Sequence, residues 1–333
     1  MQTVYFYMNK CSLCLINDAD KTGSHTVPHF LVKKVDNYNG QKERDKEMGF
    51  MINDQEINSY AGRSLLPEQI EETIGQESKN VSFKVPHVVD HFICTDCEKY
   101  FSDIESEYSY IESLNSSIDV VTASAFWAGV VWRASASKVH GFRLSAKFEK
   151  SLRREVLKFK NDRDYLIERF EYVVLKSALE NGHKNPLVLS FLSALKLPNA
   201  ALIGPYALIF SPKQVHLDPS KFSFYGLEKL FTLNEISKKI ETGKAPIFAV
   251  SDQEFRIALI QFWKKKGQTF KLNIIRRLHK DYRSLGGKGK YMPRELIEQI
   301  FKDLETLPVK DTMRYGTENV RQAVFNVLKR YVI

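Results

Sequence analysis

Cys94-Thr95-Asp96-Cys97-Glu98-Lys99-Tyr100-Phe101-Ser102-Asp103-Ile104-Glu105 joins a CxxC knuckle to a helical pattern, and Cys11-Ser12-Leu13-Cys14 is its counterpart near the start of the chain. The two pairs use all four cysteines of the 333 residues, so none is left over. A CxxC sets two thiolates on one tight turn. Two such knuckles complete a tetrahedral shell around zinc, at about 2.3 Å per Zn–S bond. The alternatives are two disulfides, a redox dithiol or an iron–sulfur cluster. Disulfides fit poorly with an intracellular chain. A thioredoxin-like dithiol needs a βαβ context that the flanking sequence lacks. Structural zinc is therefore the expectation, and a closed four-thiolate site accounts for folding rather than catalysis.

The segments around the knuckles are short and legible. Asn17 to Gly23 is rich in turn formers. In Ser24-His25-Thr26-Val27-Pro28-His29-Phe30-Leu31, Thr26 and Val27 are β-branched and Pro28 stops the segment, so His25 is expected on a short strand. Val88 to Ile93 leads into the second knuckle, after which Phe101, Ile104 and Tyr108 recur at helical spacing. A knuckle, a hairpin, and a second knuckle opening a helix is the plan of a treble-clef zinc fold. The 79 residues between Cys14 and Cys94 require a large insertion, expected over residues 36–85. Within it, Leu66 to Ile74 reads as a short acidic helix with Pro67 in its first turn.

This arrangement resembles the HNH endonuclease group, most closely bacterial HNH-like proteins of the pattern CxxC…SHxxPxFL…CxxCExxFSxxE. The matching positions are Cys11, Cys14, Ser24, His25, Pro28, Phe30, Leu31, Cys94, Cys97, Glu98, Phe101, Ser102 and Glu105. The resemblance spans roughly residues 8–110, with a weaker echo in Phe126-Trp127 and Trp132-Arg133-Ala134-Ser135-Ala136-Ser137. It implies a ββα-metal active site in which His25 is the general base that activates water, with a single Mg²⁺ or Mn²⁺ at the scissile phosphate. The family has an acidic residue before this His, where this chain has Ser24. It has His or Asn after the second CxxC, where this chain has Glu98. Glu98 is the implied ligand for the divalent ion, with Asp90, His91, Asp96, Asp103 and Glu105 as candidates for a second. Plainer readings stand beside these: His25 bracing the hairpin, His29 and His91 structural, Glu98 favouring a helix N-terminus, and Glu105 in an ion pair.

Charge divides the chain. Residues 1–120 carry 11 basic and 20 acidic side chains, whereas residues 121–333 carry 38 and 20. A basic half of this strength suits a polyanion, because neutralised phosphates supply most sequence-independent nucleic-acid affinity. Residues 261–333, with 17 basic and 7 acidic side chains, are the expected backbone-binding region. The candidates there are Lys264, Lys265, Lys266, Arg276, Arg277, Lys288 and Lys290. Leu285 to Lys290 is glycine-rich and basic but lacks the spacing of a P-loop.

The fold class expected is α+β: an N-terminal treble-clef module over 1–118, then a mostly helical basic region over 119–333 with a few short strands. Residues from about 104 to 196 read as mainly helical. Lys147, Lys150, Arg153, Arg154, Lys158, Lys160 and Arg163 lie on one amphipathic helix, fit either to grip phosphate or to form a solvated back. Trp127 and Trp132 read as core. Ala200 to Phe210 and Ala245 to Val250 read as buried strands bounded by Pro and Gly. No run approaches the roughly 20 apolar residues of a membrane span. The expectation is a cytoplasmic, metal-dependent HNH-like endonuclease acting on DNA or RNA. By family analogy its setting is bacterial anti-phage defence, with a protein partner from the same operon. The alternative is a catalytically inactive zinc protein that binds nucleic acid or a protein partner.

Overall fold

The structure is a computed structural model and describes residues 9–36, 59–61, 88–140, 142–177, 188–192, 198–223, 226–284, 291–305 and 322–327. The chain is mixed α and β and forms two compact units. The first holds the described residues up to 256, and the second those from 257 onward. The acidic helix expected over Leu66 to Ile74 lies outside the described residues.

The first unit opens with the knuckle at Cys11–Cys14. Next come strand β1 (Ser24–His25) and helix α1 (His29–Asp36), which starts directly after Pro28. Strand β2 (Ser59–Ala61) follows, then β3 (Val88–Val89), which pairs antiparallel with β1 in the register Ser24↔Val89 and His25↔Val88. The second knuckle then opens helix α2 (Thr95–Ser113).

Helix α3 (Val120–Ala136) forms the centre of the unit. Its sequence VVTASAFWAGVVWRASA contains one charged residue, Arg133, and is buried nearly all round. A helix apolar on every side must be enclosed, and here α2 and α4 (Ala146–Asn161) pack on it. Small residues let the helices approach closely: a Cβ built on Gly129 would lie 3.0 Å from the Phe101 ring. Trp127 and Trp132 are core residues, Trp127 donating from Nε1 to the Tyr108 hydroxyl at 3.1 Å. Asp119 starts the helix by accepting from the Thr122 N–H at 2.8 Å.

Beyond α4 the chain leaves the helical path expected to about residue 196. It ends α4 at Asn161 and enters strand β4 (Glu171–Ser177). Two features oppose a helix there. Asp162 accepts from the Asp164 N–H at 3.1 Å, a local turn that competes with helix propagation. Tyr172 to Leu175 is then a continuous apolar run with adjacent valines, buried on both faces of a sheet. The sheet has six strands in the order β2-β5-β6-β7-β4-β8, formed with β5 (Val188–Leu192), β6 (Asn199–Ile203), β7 (Tyr206–Ser211) and β8 (Ile247–Val250). All pairs are antiparallel except β4 with β8. The Gly204-Pro205 turn closes the β6–β7 hairpin, with Gly204 at φ +55°. Strand β2, from within the long insertion, pairs with β5 at the sheet edge. Helix α5 (Leu233–Glu241), started by a Thr232/Glu235 capping box, precedes β8.

Helix α6 (Asp252–Ser284) runs from the end of the first unit into the second. Within the second unit it is followed by α7 (Arg294–Glu305) and by a helical turn at 322–327. Ile274, Leu278, Met292, Ile300 and Val327 form its core. Nδ1 of His279 accepts from the Met292 N–H at 3.0 Å and ties the start of the α7 segment to α6. Among the described residues, no helix is long and apolar enough to cross a membrane.

Candidate functional site

The two knuckles meet. The sulfurs of Cys11, Cys14, Cys94 and Cys97 all lie within 4.8 Å of one another, with Cys14 Sγ 3.9 Å from Cys94 Sγ. Four ligands at about 2.3 Å from one tetrahedral centre would be about 3.8 Å apart, so the cluster is compatible with a zinc module. Left to themselves, sulfurs this close share protons unequally. The Cys11 thiol is drawn down to about 4 by hydrogen bonding from Cys97 and from backbone N–H groups. The Cys97 thiol is pushed up by that same contact with Cys11, and Cys94 is pushed up by burial. A dication lets all four serve as thiolates, which is the chemistry of a structural zinc site.

The knuckles are held by groups distant in sequence. The Ser12 N–H donates to the Phe92 carbonyl at 3.0 Å, and the Lys21 N–H to the Ile93 carbonyl at 3.3 Å. Cys94 offers no side-chain cap to α2. Asp20 takes that role, accepting from the Thr95 N–H at 2.7 Å and the Thr95 hydroxyl at 3.2 Å. Nδ1 of His91, a turn residue at φ +54°, lies 3.0 Å from the Ala19 carbonyl oxygen. Helix α4 supplies further support. Arg153 donates to the Leu13 carbonyl at 2.8 Å. Lys160 pairs with Asp96 and lies 3.4 Å from Cys97 Sγ. Part of the basic stripe open to a phosphate-gripping reading is therefore turned onto the cysteine cluster. Its spacing alone could not show this, because the partners lie up to 140 residues away.

Beside this cluster lies the second constellation. Strand β1 carries Ser24, fully buried, and His25, half-buried, while α2 carries Glu98, half-buried one turn into the helix. Burial pushes the Glu98 carboxyl up, and Arg133 and the nearby Ser24 hydroxyl pull it back. Ser24 Oγ stands close to the Glu98 carboxyl, yet neither Ser24 Oγ nor Glu98 Oε2 completes a hydrogen bond of ordinary geometry. The rings of His25 and His29 are 5.3 Å apart.

The candidate second ligands are mostly engaged elsewhere. Asp90 accepts from the Gly23 N–H at 2.7 Å, Asp96 pairs with Lys160, and Glu105 pairs with Arg133. Asp103 is exposed on α2. Among the described residues, the four cysteines are the one group of three or more metal-ligating side chains that converges.

Of the expected phosphate contacts, Lys264, Lys265 and Lys266 fall on α6, as do the exposed Arg276 and the half-buried Arg277, all in the second unit. Lys288 and Lys290 lie outside the described residues. Two residues of the histidine region were given no role by the sequence reading, although Arg133 lies in the weaker echo of the family pattern. Arg133 reaches β1 from α3, and His140 meets Thr26. Comparison with known proteins found no matching family model, no matching curated protein and no matching solved structure.

Proposed function

We propose that the N-terminal region is a treble-clef, HNH-like module in which zinc at Cys11, Cys14, Cys94 and Cys97 holds a metal-dependent nuclease site. The observation that carries this reading is the approach of Ser24, the residue before His25, to Glu98 across β1 and α2. That brings the two elements named by the resemblance to one place beside the thiolates. His25 would take the proton from an attacking water, a task suited to an imidazole with an ordinary pKa near 6.5. Glu98 would hold Mg²⁺ or Mn²⁺, which commonly uses one or two carboxylates and completes its shell with water and substrate phosphate. The ion would supply charge stabilisation at the scissile phosphate. The substrate class is DNA or RNA, with the basic residues of α6 as the backbone contacts.

A second reading is a non-hydrolytic zinc protein that binds nucleic acid or a protein partner. Ser24 in place of a carboxylate, and the Arg133 charge beside Glu98, favour it. The 333-residue chain incubated with plasmid DNA and with RNA, in Mg²⁺ or Mn²⁺ against EDTA, decides between them, with zinc content measured in every sample. Cutting that needs the divalent ion and disappears in both His25→Ala and Glu98→Ala is the expected result. Cutting that persists in both variants overturns the assignment.

A further inference from the structure

Arg133 is among the largest fully buried side chains of the protein, with 2% of its surface exposed. A guanidinium removed from water must have its donors matched, or the burial is strongly unfavourable. Here each nitrogen has a partner. Nη1 donates to the carbonyl oxygen of His25 at 3.0 Å, and Nη2 pairs with the Glu105 carboxylate. Nε reaches the Gly129 carbonyl of its own helix at 3.4 Å, and the guanidinium carbon stands 4.4 Å from the centre of the Phe101 ring. Glu105 and Phe101 are both on α2, the helix that carries Glu98.

The strand that carries His25 needs such an anchor. β1 is two residues long and its ladder to β3 has two residue pairs. A ladder that short does not by itself hold a backbone in one place. The arginine fork adds a rigid strut from α2 and α3 to the main chain of His25 itself. Lysine would not reproduce it, because one ammonium lacks the planar fork that spans two acceptors.

We propose that Arg133 is the positioning residue of the histidine site: by fixing the His25 carbonyl against α2 it sets where the His25 imidazole stands relative to Glu98. The functional half of this inference rests on the nuclease reading. The positional half does not.

The test uses the zinc-loaded 333-residue chain carrying Arg133→Lys, and separately the charge-balanced double variant Arg133→Met with Glu105→Leu. With histidine-labelled protein, the ring resonance of His25 is identified by its loss in His25→Asn. We expect it to shift or broaden in both Arg133 variants, while the ring signals of His216 and His279 stay in place. In the plasmid assay we expect kcat to fall about tenfold or more with KM held within about twofold, and the pH profile to move with the imidazole. An unmoved His25 signal in a folded, zinc-loaded Arg133 variant overturns the positioning role, whatever the activity. A shifted signal with unchanged kcat overturns its functional half. A wild-type protein that does not cut defeats the nuclease reading alone, and the His25 spectrum still decides the inference.

Discussion

The Thr26 hydroxyl lies 2.7 Å from Nε2 of His140, a buried contact between residues 114 positions apart. Thr26 directly follows β1, and His140 follows α3, with its ring 5.2 Å from that of Phe191 on β5. One polar pair thus ties the residue after β1 to a buried imidazole that in turn packs against the six-stranded sheet.

Burial pushes the His140 pKa down to about 4. In an unfolded chain it would titrate near 6.5. Between those values the unfolded chain binds the additional proton, so stability is lost as pH falls from about 6.5 to about 4. At pH 5 the loss is about 2 kcal/mol. Urea unfolding of wild type and His140→Gln from pH 7 to pH 5 checks this. The variant should show a flatter pH dependence, and parallel slopes would refute the assignment.

If the four cysteines hold zinc, removing it should unfold the N-terminal half of the first unit. One zinc per chain is expected by elemental analysis, lost together with cooperative thermal unfolding in Cys97→Ser. Cobalt substitution should give the absorption of a tetrahedral thiolate site. A metal-free preparation with an unchanged melting curve would contradict the cluster's structural role.

Arg153 and Lys160 act on the knuckles from α4. Arg153→Ala frees the Leu13 carbonyl from its donor and should weaken zinc affinity by about 10- to 100-fold, the range typical of outer-shell partners. Lys160→Ala removes the ammonium beside Cys97 and should speed alkylation-driven zinc release, measured with a chromogenic chelator.

Gly129→Ala should destabilise, although alanine ordinarily improves a helix interior. The new methyl would sit 3.0 Å from the Phe101 ring, whose other neighbours include the Arg133 guanidinium and, stacked at 6.1 Å, Trp132. Overpacking of this kind costs about 1–3 kcal/mol. Denaturant titration should show the loss, and Phe101→Leu in the same chain should recover part of it.

If the second unit binds nucleic acid, affinity must fall steeply as salt rises. Replacing Arg276 and Arg277 by alanine should reduce the log–log salt slope by about one for each phosphate left without its cation. DNA affinity that ignores salt in the wild-type protein would remove the phosphate reading.

What could be read from residues alone was what depends on near neighbours. A CxxC is a local turn, two such pairs with no cysteine left over imply one cluster, and Pro28, Gly204 and Pro205 mark where short elements end. The apolar stretches at Ala200 to Phe210 and around Trp127 were legible because each spans only a few residues, but that the first folds at Gly204-Pro205 into the β6–β7 hairpin was not. Tertiary structure decided the rest. Tyr172 to Leu175 became a strand because a sheet was available to cover both its faces. Arg153 and Lys160 turned inward because acceptors 140 and 63 or 64 positions away lay beneath them. Arg133 joined the histidine site because a buried guanidinium takes whichever carbonyl and carboxylate folding brings within its fork. Pattern along a chain reports hydrophobic faces and turns. Which charge meets which carbonyl across a hundred residues is settled only when the core closes.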